Sequence, residues 1–134
     1  MTSFPLKIVT PDGLEFDGQA EELIVRTTTG DLGILAGHTN CVAPLGMGQA
    51  TIMVDGQKRY AACIGGMVSV VNGDVTLVPT TFEWADEIDT ARADASYQRA
   101  QKVLSGKDSS ATDIKLAQAR LRRALVRKSV ASNK

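Results

Sequence analysis

Around residues 84–86 the chain changes its hydrophobic period and its composition together, and this break restricts the fold more than any single motif. Before it, apolar residues alternate with polar ones, as in Phe4/Leu6/Ile8, Leu14/Phe16 and Leu23/Val25, between clusters of Gly, Pro, Asp and Thr. A period of two places one face of a strand against a core. Pro11-Asp12-Gly13 and Asn72-Gly73-Asp74 supply turns with positive φ, and Val54-Asp55-Gly56-Gln57 between Ala50–Met53 and Lys58–Tyr60 is a two-residue hairpin signal. Many short strands at close spacing predict an antiparallel β-sandwich or flattened barrel. The strand pattern ends at Thr80-Thr81-Phe82-Glu83-Trp84. From Asp86 onward the residues are helix formers, with no proline and glycine only at Gly106. The expected class is α+β, with a sandwich over residues 1–84 and an antiparallel two-helix hairpin over residues 85–134.

The first helix is expected to open at Asp86, Glu87 and Asp89, whose carboxylates complement its dipole, and to stop at Ser105-Gly106. Lys107-Asp108-Ser109-Ser110 offers a cap for a second helix from about Thr112 to Ser129. Ala93, Tyr97, Ala100 and Leu104 form a stripe on helix one, and Ile114, Ala117, Leu121 and Leu125 form one on helix two. These stripes are thin and rich in alanine, so at about 25 cal/mol per Å² the hairpin is expected to be marginal by itself, to depend on docking and to be able to undock.

Length and composition narrow the function classes. With 134 residues and 43% hydrophobic content the chain holds one compact domain with an appendage. No apolar run approaches the roughly 20 residues that cross a bilayer, and the amino terminus has neither a basic region followed by an apolar one nor a transit peptide, so the expected protein is neither secreted nor membrane-spanning. Cys41 and Cys63 are isolated, with only His38 as a further soft ligand, and are read as buried small hydrophobes. One histidine, no phosphate-cradling glycine loop and no triad or metalloprotease spacing leave no catalytic inventory. His38 is read as a structural hydrogen-bonding residue.

The net charge of zero hides an asymmetry, since residues 1–84 sum to −5 and residues 85–134 to +5. No acid follows Asp113, whereas Lys115, Arg120, Arg122, Arg123, Arg127, Lys128 and Lys134 do. Arg120, Arg123 and Arg127 share one face of helix two with Leu116, and Arg92 and Arg99 share one face of helix one. Three readings follow: a solvated basic surface, a cleft that binds phosphate oxygens, or a grip on the carboxylates of a protein neighbour. Nucleic acid is disfavoured by the few aromatics and the short basic run.

The segment Gly30-Asp31-Leu32-Gly33-Ile34-Leu35-Ala36-Gly37-His38 resembles the signature of the epsilon subunit of F-type ATP synthases. Val9-Thr10-Pro11-Asp12-Gly13, Gly65–Val70, Asp74–Leu77, Glu83 and Asp86–Ala93 resemble further segments of that family in sequential order. The resemblance implies a sandwich of ten strands followed by two helices. It implies a non-catalytic rotor part of the central stalk that binds the gamma subunit and the ring of c subunits and couples ion translocation to ATP synthesis. Gly30, Asp31, Leu32, Gly33, His38, Leu45 and Met47 are candidates for the gamma and c-ring contacts. The hairpin in that family has compact and extended forms, and in the extended one Arg122, Arg123, Arg127 and Lys128 would meet the beta subunits and hinder ATP hydrolysis. Ile88-Asp89-Thr90-Ala91-Arg92-Ala93 matches an ATP-binding motif of some bacterial members. Carried over, Glu83, Ile88, Asp89 and Arg92 would hold the adenine end and Arg99, Arg123 and Arg127 the phosphates, with ATP and magnesium as a regulatory ligand rather than a required cofactor. The implied location is the cytoplasmic face of a bacterial plasma membrane, reached through the c ring. A reading from another class is an autonomous ATP-binding sensor that regulates a different protein.

Overall fold

The computed structural model describes residues 2–106 and 110–133 and divides after Trp84 into a β unit and a helical unit. The β unit contains eight strands: β1 Phe4–Thr10, β2 Gly13–Ala20, β3 Glu22–Thr27, β4 Gly30–Ile34, β5 Cys41–Pro44, β6 Met47–Val54, β7 Gln57–Val71 and β8 Asp74–Trp84. They run in the order β2-β1-β8-β7-β6-β3-β4, with β5 also paired to β7. All pairs are antiparallel except β1 with β8, where Leu6, Ile8 and Lys7 lie in parallel register with Val75, Leu77 and Thr76.

Eight strands rather than ten follow from the length of β7 and β8. The first half of β7 pairs with β6, from Gln57 opposite Val54 to Ile64 opposite Met47, while its second half pairs with β5, from Met67 opposite Pro44 to Val70 opposite Cys41. One strand therefore serves both layers where two shorter ones were expected. The bend is made at Gly65 and Gly66, with φ of 68° and 93°. A Cβ on Gly66 would run into the carbonyl oxygen of Val78 and stand 2.7 Å from Cα of Pro79, so only glycine lets the two backbones approach this closely. Across the bend, Leu45 N donates to Gly66 O at 2.8 Å and Gly65 N to Gly46 O at 3.0 Å. Burial along β8 changes phase at the same place, from Val75, Leu77 and Pro79 to Phe82 and Trp84.

The alternating residues of both layers meet in one core, with Leu6, Ile8, Leu23, Val25, Ile34, Ile52, Val68, Val70 and Leu77 all less than 2% exposed. The three expected turns form with positive φ at Asp55-Gly56, at Asn72-Gly73 and at Gly13. The first is held further by Glu21, whose carboxylate accepts from Asp55 N at 3.1 Å and Gly56 N at 2.9 Å. Cys63 is buried, which pushes its thiol up to about 12, whereas Cys41 is only half-buried because β5 is an edge strand, and so is not the core residue expected.

In the helical unit a 3₁₀ turn at Ala85–Glu87 precedes α1 (Thr90–Ser105) and α2 (Ala111–Ala131). Asp86 and Glu87 thus lie ahead of α1 rather than in its first turn, and Asp89 is its N-cap, accepting from Arg92 N at 3.0 Å. Gly106 ends α1. Ser110 and Asp113 form a reciprocal capping box that starts α2. The remainder of the expected cap, Lys107-Asp108-Ser109, lies outside the described residues.

Candidate functional site

The seam of the hairpin is built from alanine. Ala93 and Ala100 of α1 and Ala117 and Ala124 of α2 are buried, and Tyr97, Leu104 and Leu121 are half-buried beside them. Ile114 and Leu125, expected on the inner stripe, are 36% and 45% exposed. Ala124, one residue before Leu125, takes the inward place, because small methyls at 117 and 124 bring the two backbones together and push larger neighbours to the flank.

An α-helix advances about 100° per residue, and in an antiparallel pair corresponding flanks fall on the same side. Arg92 and Arg99 follow one flank of α1, and Arg120, Arg123 and Arg127 follow the flank of α2 on that same side. Stagger is set by Lys128, whose Nζ lies 3.0 Å from Asp94 Oδ1. Counting from that pair brings Arg99 level with Arg123. Arg92, Arg99 and Arg120 are exposed, and Arg123 and Arg127 are half-buried. This flank concentrates guanidinium groups, and its acids, Asp89 one turn before Arg92 and Asp113 at the start of α2, are each engaged in a helix cap. Such an array is suited to polyanionic oxygen ligands, which guanidinium binds in bidentate fashion.

The other flank differs in chemistry. It carries Asp94, Gln101, which donates to Tyr97 Oη at 2.9 Å, and Lys128. A surface groove of about 620 Å³ opens there, lined by Gln98, Gln101, Lys102, Leu104, Ser105 and Leu121.

Of the residues assigned to adenine by resemblance, Ile88 is buried, Asp89 is the helix cap and Arg92 lies in the first turn of α1, so these three share one short segment. Glu83 belongs to β8 in the other unit, opposite Ala62, and is half-buried. Arg122 lies on the far side of α2 from the arginine flank and is exposed, and Lys128 is engaged with Asp94.

The β unit places its candidate contacts unevenly. Gly30, Asp31, Leu32 and Gly33 form most of edge strand β4, with Asp31 paired to Arg26 at 2.7 Å and Leu32 packed against the core. His38 Nδ1 donates to Thr39 O at 2.7 Å, with Cys41 Sγ 4.0 Å away, in the turn after β4. Met47 is half-buried. Leu45, expected as a contact residue, is only 5% exposed, because Thr27 bridges it to the sheet and its side chain completes the core.

The residues of one exposed apolar surface were not picked out from the sequence. Pro44, Met67 and Val78 stand in register across β5, β7 and β8, with Val42 and Val71 beside them. Val42, Met67, Val71 and Val78 are 64%, 42%, 52% and 46% exposed, an apolar face on the outside of the sheet. Its signal was present in Met67-Val68-Ser69-Val70-Val71, where apolar residues fall on both phases of the alternation.

Known proteins agree with this architecture along its whole length. The profile of the ATP synthase Delta/Epsilon chain beta-sandwich domain matches residues 3–85, and that of the Delta/Epsilon chain long alpha-helix domain matches residues 86–132. The chain is 43% identical to the ATP synthase epsilon chain of Ruminococcus albus over 135 residues, covering 100% of both. It is also 43% identical to that of Bacillus velezensis over 133 residues, covering 99% of this chain and 100% of the relative. Among solved structures, a chain of the Euglena gracilis mitochondrial ATP synthase OSCP/F1/c-ring assembly superposes with a TM-score of 0.84 at 20% identity, covering 100% of this chain and 83% of its own. A chain of the Tetrahymena thermophila mitochondrial ATP synthase central stalk and c ring gives 0.64 at 16% identity, with 95% of each covered. At those identities the two superpositions speak for the fold.

Proposed function

Because this chain belongs to the epsilon subunits of F-type ATP synthase, we propose that it is a non-catalytic part of the central stalk whose β unit binds the rotor and whose hairpin regulates ATP hydrolysis. The observation that carries the reading is the pairing, in one chain matched from end to end, of a rigid sandwich bearing an exposed apolar face with a separable basic hairpin. The Pro44–Met67–Val78 row and its neighbours offer the gamma subunit an apolar footing, and the turn from Leu35 to Asn40 with β4 offers the c ring a second. Membrane association is then indirect, and no helix among the described residues is long and apolar enough to cross a bilayer.

The hairpin's role follows from its charge. In a compact form the arginine flank takes the phosphates of ATP through Arg99, Arg123 and Arg127, with Ile88, Asp89 and Arg92 near the base. In an extended form α2, with Arg122, Arg123, Arg127 and Lys128, meets acidic segments of the beta subunits. A ligand that binds the compact form better shifts the population away from the inhibitory one by its differential affinity alone.

Calorimetric titration of the full chain with ATP and magnesium, repeated on Arg92→Ala and Arg123→Ala, tests the nucleotide half. Saturable binding that both changes abolish is expected, and its absence up to millimolar ATP would leave the arginines as contacts to the beta subunits. The inhibitory half is read separately, by ATP hydrolysis of a complex assembled with the full chain or with a chain ending after Glu87. The shortened chain is expected to hydrolyse faster, and equal rates would refute the inhibition.

A further inference from the structure

We propose that Asp94, Tyr97 and Lys128 form a latch that sets how much of the hairpin is closed, independently of any nucleotide. The inward positions of α2 run Ala117, Leu121, Ala124, residue 128 and Ala131, a spacing at which every other member is apolar. Lysine occupies position 128, directly on the seam. It faces Tyr97, itself an inward residue of α1, with Nζ 4.4 Å from the ring centroid, and Asp94 closes the group at 3.0 Å. The lysine stem thus covers the aromatic ring while the ammonium meets both its π face and a carboxylate.

This layer has a property that an apolar pair would lack. A leucine at position 128 would be stabilised by closure and penalised by exposure, whereas a lysine returns to water at little loss when the helices part. A single polar layer in an otherwise apolar seam also fixes alignment, since only one stagger brings Lys128 to both Asp94 and Tyr97. Orientation adds to it: Lys128 lies in the last turn of α2, on the favourable end of that helix dipole. The side chains of Lys128 and Asp94 are 37% and 55% exposed, so their attraction is screened by salt and is modest in size. A modest term matters here because the alanine seam that it assists is thin.

Amide hydrogen exchange over residues 111–131 of the full chain, without nucleotide or partner, reads the latch directly. Asp94→Asn is expected to speed exchange in the second half of α2 by roughly 1.5- to fivefold, the range an exposed ion pair commands. It should also remove the acceleration that salt produces in the unaltered chain. Combining Asp94→Lys with Lys128→Asp should exchange more slowly than either change alone. Asp86→Asn, which removes an acid outside the group, should leave α2 unchanged, and protection of the β unit should be constant throughout. Exchange in Asp94→Asn equal to that of the unaltered chain, or a double change no slower than the single ones, would overturn the proposal. Because ATP is absent, the outcome does not depend on whether the arginine flank binds nucleotide.

Discussion

The two units bury their apolar residues on different scales. In the sandwich, nine Leu, Ile and Val side chains are withdrawn almost entirely from water and meet in a single core. In the hairpin the facing surfaces are mainly alanine, with Val130 and Ile88 the large side chains buried in that unit, while Ile114, Leu116 and Leu125 stand 36%, 47% and 45% exposed. A buried leucine contributes several times the area of an alanine methyl, so at about 25 cal/mol per Å² the first unit is a fixed platform and the second is held by a small margin. The difference suits the proposed division of labour, in which the sandwich would keep the shape of a rotor contact and the hairpin's weak closure would allow two populations.

The largest effects are expected where the platform is attacked. Gly66→Ala places a methyl against Val78 O and Pro79 Cα at a positive φ, and Leu77→Ala opens a cavity in the core. Each is expected to lower unfolding free energy by about 2–5 kcal/mol, read by denaturant titration followed at Trp84. If either change altered only the exchange of the hairpin, the contrast between the units would fail.

Much of this contrast was legible in the sequence. The break near residue 85, the Asp55-Gly56 and Asn72-Gly73 turns and the Ser110 cap are all written in local residue types, whose physics acts within a few positions. Three features were not. The continuity of β7 through Gly65-Gly66 depends on a close approach by β8, which two adjacent glycines suggest as easily for a turn. Burial of Leu45 rather than exposure depends on its bridge to Thr27, eighteen residues earlier in the chain. The inward choice of Ala124 over Leu125 is a rotation of one position, within the tolerance of any helical stripe. At the candidate site, the arginine spacing was readable from periodicity, but the engagement of Lys128 with Asp94 across 34 residues was not.

A slope rather than a step is expected from Cys63. Burial raises its thiol from 9.0 to about 12, so the folded chain keeps a proton that the unfolded chain releases. Stability is therefore full below pH 9 and falls between pH 9 and pH 12, by up to about 1.4 kcal/mol per pH unit. Cys63→Ala should flatten that part of the profile in a series of denaturant titrations. An unchanged slope would assign the alkaline loss to other groups. Cys41, half-buried on an edge strand, should be alkylated first in the native chain.

The smallest effect tests the hairpin's margin. Ser110 accepts from Asp113 N at 3.1 Å and receives the Asp113 carboxylate at its own N–H, so Ser110→Ala removes half of a reciprocal cap. Such caps contribute about 1 kcal/mol. In a unit with a deep core that loss would be absorbed without visible opening, because opening would expose the core as well. In a unit closed by alanine it should appear as faster exchange of the first turns of α2, by about fivefold, with denaturation of the β unit unmoved. Ser110→Asp, which keeps an acceptor at the cap, should return exchange close to its original rate. If Ser110→Ala were silent in exchange, the hairpin would be held far more firmly than its seam implies, and a switch would need much stronger ligands to move it.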